Sequence, residues 1–375
     1  MYIRPPKKRR SAPIRVLILL ALVAAGAYIL IWQRDLIKPI QVGPTPTPTL
    51  TAAEIMTEAD KLYMDGRLDE AIDKYSQAAA LDPDDPIPYA RWALLLTLRQ
   101  RTADAVEKAR QAVGLGPDNA QALAALCMAL DWDAGGDQAK LQEALNACLS
   151  ATEADRGYAE ARAFLAEVYA DLGQTKQAVE NARLAVSMDN SSVFAHRDLG
   201  YALEKQRRYS DAVAEYKRAT VLDPRLAQPY IDLGRIHTAY NRRTDALTAY
   251  ETAIQVDPDS AYARDQLGWA YHARGDYQRA VVELKKAVEI DPSYAPAYGH
   301  LGRAYYDLRD WEDAIPAFRA ALDLGTTQVE YYYLLGLAYV NLDRCDEALP
   351  WLKEALKIEP NALPAQQGLD MCDKN

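Results

Sequence analysis

Two apolar stripes with helical spacing run through residues 261–294. The members of the first lie at positions i, i+1 and i+4, and those of the second at i, i+4 and i+7. In order, they are Leu267, Gly268, Tyr271, Ala280, Leu284 and Ala287. Gly275 lies between the stripes, where its backbone freedom suits a turn, and Pro292 ends the second stripe because it lacks a backbone N–H. The pattern predicts two α-helices joined by a short turn.

The same pattern returns about every 34 residues, as two columns of alanine that lie seven residues apart. The first column contains Ala71, Ala105, Ala144, Ala178, Ala212, Ala246, Ala280, Ala314 and Ala348. The second contains Ala78, Ala112, Ala151, Ala185, Ala219, Ala253, Ala287, Ala321 and Ala355. Small residues where two helices cross let the backbones approach closely. A repeat of this length predicts a solenoid, in which each repeat buries its apolar face only against its neighbours.

Two further signatures recur with the alanines. A leucine followed by glycine comes early in the repeats at Leu199-Gly200, Leu233-Gly234, Leu267-Gly268, Leu301-Gly302 and Leu335-Gly336. Most repeats end on an acidic residue and proline, at Asp82-Pro83, Asp223-Pro224, Asp257-Pro258, Asp291-Pro292 and Glu359-Pro360. Together these features resemble the tetratricopeptide repeat, which consists of two antiparallel helices. The resemblance is most specific over residues 193–294.

The resemblance covers residues 52–362 and implies an all-α, right-handed superhelical solenoid of nine repeats. The repeats are 52–85, 86–119, 120–158, 159–192, 193–226, 227–260, 261–294, 295–328 and 329–362. Residues 363–375 are expected to form a C-terminal capping helix. The third repeat is five residues longer than the others, and Gly135-Gly136 predicts a longer loop between its helices.

The first 51 residues differ from the rest of the chain. A basic head, residues 1–15, precedes the uncharged run 16–32, and a Thr/Pro-rich linker follows at 33–51. We expect residues 16–32 to form a single transmembrane helix, with the head in the cytoplasm and the repeats outside it. Two alternatives remain: a secretory signal cleaved near Ala25-Gly26-Ala27, and an inverted anchor with the repeats facing the cytoplasm as an adaptor.

Charge and cysteine content narrow the class of function. Residues 1–50 carry eight basic residues and one acidic residue, so the remainder has a net charge of −17 against −10 for the whole chain. An acidic array of this kind disfavours nucleic-acid binding. The cysteines Cys127, Cys148, Cys345 and Cys372 form no CxxC or Cys/His cluster, so they predict no metal site. In an oxidising compartment, Cys127–Cys148 and Cys345–Cys372 could form disulfides; otherwise all four are small buried residues.

The sequence contains no catalytic, cofactor-binding or metal-binding motif, and we expect no enzyme. The resemblance instead implies a concave face, lined by the first helix of each repeat, that binds protein or peptide partners. Exposed aromatic and arginine side chains dominate protein interfaces. The predicted binding residues are Phe194, Tyr201, Arg235, Tyr262, Trp269, His300, Arg303 and Tyr306.

The corresponding places in the earlier repeats are more apolar, at Leu94, Leu98, Met128, Trp132 and Phe164. That stretch could hold an amphipathic helix or a second copy of the chain, so self-association could also occur there. The places that carry Lys and Asn in relatives that clamp a C-terminal carboxylate hold other residues here, such as Ile231, Asp232 and Arg235. We therefore predict a membrane-anchored scaffold, without enzymatic activity, for assembly of an envelope complex.

Overall fold

The computed structural model describes residues 13–32 and 50–373. The chain divides into two compact parts, Met1–Leu50 and Thr51–Asn375. The described residues form twenty α-helices and no β-strand. The all-α prediction is therefore confirmed for these residues. The basic head up to residue 12 and the linker over residues 33–49 lie outside the described residues.

The N-terminal helix α1, Pro13–Trp32, includes Arg15 in its first turn. The uncharged run after Arg15 has seventeen residues, which is at the lower limit of the roughly 17–25 residues that span a membrane as a helix. Among residues 13–32 and 50–373, no helix has both the length and the apolar character to cross a membrane. The predicted single-pass cell-membrane protein, with a span at 16–32, a cytoplasmic N-terminus and extracytoplasmic repeats, is therefore wrong.

Helices α2 to α19 form nine pairs, and a shorter helix follows them. The first helices of the pairs are α2 Ala52–Met64, α4 Pro86–Leu98, α6 Ala120–Ala134, α8 Ala159–Asp171, α10 Val193–Lys205, α12 Gln228–Ala239, α14 Ala261–Ala273, α16 Ala295–Asp307 and α18 Val329–Asn341. The second helices are α3 Leu68–Leu81, α5 Thr102–Leu115, α7 Gln138–Ala154, α9 Thr175–Met188, α11 Tyr209–Leu222, α13 Arg243–Val256, α15 Tyr277–Ile290, α17 Trp311–Asp323 and α19 Cys345–Ile358. The last helix is α20, Leu363–Cys372, which packs on α18 and α19.

The two alanine columns lie in the contact between paired helices. Every alanine of both columns is at most 2% exposed. A glycine of each later first helix faces a large side chain of its second helix, and a Cβ added at Gly268 would lie 2.6 Å from Leu284 Cγ. The equivalent close pairs are Gly200–Tyr216, Gly234–Tyr250, Gly302–Phe318 and Gly336–Leu352. These glycines are required because any side chain there would overlap its neighbour.

Each pair is joined by a three-residue turn whose middle or first residue has a left-handed backbone. Glycine fills this position at Gly66, Gly173 and Gly275, and in the third repeat both Gly135 and Gly136 have positive φ. Glycine is the residue type that adopts this conformation without strain. Other residues occupy the equivalent position in the remaining turns: Gln100, Arg207, Asn241, Arg309 and Asp343. The left-handed turn is therefore a property of the repeat rather than of glycine.

The five extra residues of the third repeat lengthen its helices. Helix α6 has 15 residues and α7 has 17, whereas most first and second helices have 13 and 14. The connection Gly135–Asp137 keeps the usual three residues. The prediction of a longer loop was wrong, because the inserted residues continue the helical hydrogen bonding on both sides of the turn.

Contacts between distant repeats close one turn of the array. Arg99, after α4, forms a salt bridge with Asp69 at 2.8 Å and a second one with Asp257 at the end of α13. Arg225 reaches Asp65 at 2.6 Å, and its carbonyl lies against Gly66. Arg99 and Asp257 are 158 residues apart in the chain, and Arg225 and Asp65 are 160 residues apart. The first two repeats therefore touch the junctions that flank the sixth.

Candidate functional site

A cavity of about 470 Å³ lies against the first helices of the third to seventh repeats. The C-terminal turns of α6 and α8 contribute Asp131, Trp132, Glu167 and Asp171 to its wall. Side chains of α10 and α12 continue the wall, and Gln100 and Tyr262 come from the turn after α4 and from α14. The lengthened third repeat supplies Gly135, Gly136, Gln138 and Leu141. The cavity therefore lies on the side of the array formed by the first helices.

The Arg197 guanidinium, only 5% exposed, lies at the wall of this cavity among three carboxylates. It donates hydrogen bonds to Glu167 at 2.6 Å, to Asp198 at 2.8 Å and to Asp232 at 3.0 Å. The guanidinium carbon also lies 5.0 Å from the centre of the Trp132 ring. One cation thus joins α8, α10 and α12 through buried, charge-assisted hydrogen bonds.

Two more cations line the cavity, and each has an acidic partner. Lys205 donates to Asp171 at 2.7 Å, and the Tyr201 hydroxyl donates to the same carboxylate at 2.5 Å. Arg235 pairs with Glu204 and lies 5.4 Å from the centre of the Tyr201 ring. The tyrosine is thereby fixed between two cations and an acid.

Carboxylates outnumber cations in this cluster. The three cations face six acidic residues, namely Asp131, Glu167, Asp171, Asp198, Glu204 and Asp232. Oδ1 of Asp131 and Oδ2 of Asp198 are buried without a hydrogen-bond partner. Burial raises the pKa of Asp131 well above its usual value, and the nearby charge of Glu167 raises that pKa further. Burial likewise raises the pKa of Asp198.

Of the predicted binding residues, Tyr201, Arg235 and Tyr262 line this cavity. Phe194 does not: it is 7% exposed and packs edge to face on Phe164 at 5.3 Å between ring centres, as part of the core. The apolar positions of the earlier repeats are also mostly core. Leu94, Leu98, Met128 and Phe164 are all at most 7% exposed, and Trp132 alone of the five lines the cavity.

The other predicted residues form a second group on α14 and α16. Trp269 is 36% exposed and stacks between the rings of His272 and His300, at 4.5 and 4.4 Å. His300 Nδ1 lies 2.6 Å from Asp265. Burial lowers the pKa of His300, but the charge and hydrogen bond of Asp265 outweigh it and leave that pKa above its usual value. The Trp269 ring is thus held in place by two imidazole rings while part of its surface stays exposed to solvent.

Arg303 and Tyr306 follow this group on α16. The Arg303 guanidinium donates to Asp307 at 2.9 Å, pairs with Glu330 and is about one-third exposed. Tyr306 is half-buried, and burial raises its pKa. Each of these two residues keeps part of its surface available to a partner. The structure therefore brings Trp269, His300 and Arg303 into one surface region.

The sequence interpretation missed Arg197, Glu167 and Asp131 as parts of a site. Tyr201, Arg235 and Trp269 follow one another at intervals of 34 residues, one in each repeat. Glu167 lies 34 residues before Tyr201, so the same spacing places it on this face in the preceding repeat. No 34-residue spacing points to Asp131, because the insertion in the third repeat changes the distance between equivalent positions of the third and fourth repeats.

The four cysteines lie as two adjacent pairs. The Cα atoms of Cys127 and Cys148 are 5.1 Å apart, and those of Cys345 and Cys372 are 5.5 Å apart. These distances suit disulfide bonds, whose formation in the cell stays a prediction. Over residues 13–32 and 50–373, no group of His, Cys, Asp and Glu side chains is arranged to hold a metal ion.

Comparison with known families identifies repeats along most of the array. Models described as tetratricopeptide repeat match residues 159–192, 185–227, 249–282 and 301–362. A model described as TPR repeat matches residues 59–96 and 268–308. These models describe a fold that is typically non-catalytic and mediates protein interactions, and none of them describes an enzyme. No curated protein matches the sequence.

Two solved structures with TM-scores above 0.5 agree with this fold. A chain of the APC/C hetero-tetramer Cut9–Hcn1 is 20% identical, with a TM-score of 0.58 over 80% of this chain and 58% of that one. The Pseudomonas aeruginosa protein pilF is 20% identical, with a TM-score of 0.51 over 58% of this chain and 98% of its own. YrrB, described as a TPR protein with an unusual peptide-binding site, is 19% identical, with a TM-score of 0.43 over 51% and 99%. The present chain thus spans little more than half of the Cut9–Hcn1 chain.

Proposed function

Since the chain is a tetratricopeptide repeat protein, we propose that it is a non-enzymatic scaffold that binds segments of partner proteins on its first-helix face. The fold joins nine helix pairs into one array. Such arrays present an extended surface, and the side chains on it determine the partner. Apart from the buried Phe194, the residues predicted for this role on α10 to α16 remain the proposed contact surface.

The exposed tryptophan Trp269 is the observation that carries this proposal. A tryptophan more than one-third exposed leaves apolar surface in water, and here its ring is held by stacking on His272 and His300. Holding the ring before binding reduces the entropy lost when a partner covers it. Arg303, one repeat further along, shares the Asp307 carboxylate with His272, which is one of the two rings stacked on Trp269. Tryptophan and arginine are the residues most enriched at energetic centres of interfaces.

The proposal is tested by recovering partners with the purified array. The variant Trp269→Ala plus Arg303→Ala should lose at least one partner that the wild type recovers. A matched control is Arg218→Ala plus Val221→Ala, which removes one arginine and one exposed apolar side chain from the second helix α11. Unchanged recovery of every partner by the first variant would exclude this surface, and equal losses in both variants would exclude a role specific to the first helices.

The structure also bears on two narrower predictions, assembly of an envelope complex and self-association. Assembly of an envelope complex loses its basis, because it depended on the membrane-spanning segment. Self-association stays a prediction, although burial of Leu94, Leu98, Met128 and Phe164 removes the apolar face on which it was expected to occur. A partner segment is therefore the occupant that this proposal assigns to the first-helix surface.

A further inference from the structure

We propose that the cavity between α6 and α12 binds the side chain of an arginine or lysine carried by a partner segment. The inference rests on the proposed function, and it adds the chemical class of the residue that the scaffold selects. It is carried by three features of the cavity: its excess of carboxylates, a desolvated acidic oxygen without a partner, and the wall that the third repeat adds.

The charge of the cluster favours a cation. Four carboxylates line the cavity itself, those of Asp131, Glu167, Asp171 and Asp232. The cations on the same wall already have acidic partners of their own, and six acids of the cluster face only three cations. A further positive charge would reduce this excess without breaking an existing ion pair. An anionic ligand would add to the repulsion.

Asp131 supplies an acceptor that is already desolvated. It lines the cavity, is 5% exposed, and its Oδ1 has no hydrogen-bond partner. An unpaired buried carboxylate is costly, and a guanidinium or ammonium group would remove that cost with a charge-assisted hydrogen bond. Most of the desolvation is therefore complete before the ligand arrives.

Trp132 indicates that the cation belongs to a polypeptide. This ring lies beside Asp131 on the cavity wall, and its indole N–H is buried without an acceptor. An indole N–H can only donate, so it requires an oxygen such as a backbone carbonyl. A basic residue within a peptide offers both missing groups at once, the cation for Asp131 and a carbonyl for Trp132.

The shape of the cavity results from the irregular repeat. The longer α6 and α7 bring Gly135, Gly136 and Gln138 to the wall, and Gly136 has open space where a side chain would be. A volume of about 470 Å³ lies within the range of sites that enclose small organic groups. The insertion thus completes a wall that a repeat of ordinary length would lack.

The test uses the full chain and a capped five-residue peptide with arginine at its centre and glycine elsewhere, with binding measured by calorimetry. The same peptide with citrulline, which is neutral and nearly identical in shape, is the ligand control. We expect the arginine and lysine peptides to bind at least tenfold more tightly than the citrulline peptide, and we expect this preference to shrink in high salt. Equal binding of the arginine and citrulline peptides, or no binding of the arginine peptide at millimolar concentration, would overturn the inference.

Variants locate the binding. Asp131→Asn keeps the shape and should weaken the arginine peptide about tenfold, whereas Asp133→Asn should leave it unchanged because that carboxylate pairs with Lys140 away from the cavity. Gln138→Lys changes an exposed residue at the wall, so it is tolerated by the fold, and its cation should also weaken binding severalfold. Unchanged affinity in both cavity variants would refute the assignment.

The two proposals fail separately. Loss of partners in the variant of Trp269 and Arg303, together with equal binding of the arginine and citrulline peptides, would retain the scaffold and reject the basic-residue cavity. Selective binding of the arginine peptide, together with unchanged partner recovery, would retain the cavity and reject the contact surface on α14 and α16.

Discussion

Asp131 is a buried acid whose pKa is raised both by burial and by neighbouring carboxylates. Its carboxylate lies among Glu167, Asp171 and Asp198, and Arg197 is the cation whose charge opposes their effect on its pKa. Burial contributes most to the rise of its pKa, and Glu167 contributes next. An acid with a raised pKa in the folded state binds its proton more tightly there than in the unfolded chain. It therefore costs stability as the pH rises.

The variant Asp131→Asn should consequently stabilise the array at pH 7, by about 1–2 kcal/mol. The sign follows from the raised pKa: the cost of Asp131 is absent below its ordinary pKa of about 4 and grows as the pH rises above it. Urea unfolding of both proteins at pH 4 and pH 7 measures the difference. Equal stabilisation by Asp131→Asn at the two pH values, or a loss of stability at pH 7, would contradict the inference that the ionised Asp131 carboxylate destabilises the fold.

At the scale of the element, the turn within each helix pair shows what the repeat imposes on its residues. Gly275 has φ of 77° and Arg309, one repeat later, has φ of 63° in the same turn. A residue with a Cβ pays for this left-handed conformation and glycine does not. The repeat therefore accepts local strain at several turns, because the packing of the two helices outweighs it.

The variant Arg309→Gly should be more stable than the wild type by about 0.5–1 kcal/mol, because glycine removes this strain. The reverse change Gly275→Ala should destabilise it by about 1 kcal/mol, since no neighbouring atom lies within 4 Å of the added Cβ and only the backbone matters. Chemical denaturation gives both values. Changes of the same sign in the two variants would show that the backbone is not the cause.

Contacts within one repeat could be predicted from the sequence more readily than contacts between repeats. The alanine columns and Gly268 predicted paired helices because each acts on a partner about 12 to 20 residues away, within one repeat. The 34-residue spacing from Tyr201 could have placed Glu167 on the same face. The cluster as a whole could not be predicted, since its ion pairs join Glu167, Arg197 and Asp232 from three repeats. The membrane span was predicted from a basic head followed by an apolar run, which is a pattern of composition. It was wrong because no described helix has both the length and the apolar character to cross a membrane.

At the scale of the whole array, the contact of Arg99 with Asp69 and Asp257 joins distant repeats. The side chains of Arg99 and Asp257 are 9% and 7% exposed, so this pair is nearly buried. Burial raises the pKa of Asp257, and Arg99 opposes that rise. Removing the cation would leave a buried acid without its partner, which is more costly than the loss of an exposed pair. Arg99 therefore forms the more buried of the two arginine contacts that close the turn, since Arg225 and Asp65 are 58% and 39% exposed.

The variant Arg99→Ala should lower the free energy of unfolding by about 3 kcal/mol and open this turn of the array. Small-angle X-ray scattering should then show a larger radius of gyration at neutral pH. Arg101→Ala is the matched control, because it removes an exposed pair with Asp104, about half exposed on both sides. Equal dimensions for wild type and Arg99→Ala would show that the turn stays closed without the contacts of Arg99.

Photocrosslinking of a bound partner tests the central claim most directly. Benzoylphenylalanine placed at Trp269 or Tyr262, on the first helix α14, is compared with the same group at Val221 or Val282, which are exposed on the second helices α11 and α15. The account predicts crosslinks to the partner from positions 262 and 269 and none from 221 and 282. Crosslinks confined to positions 221 and 282 would contradict a scaffold that binds through its first helices.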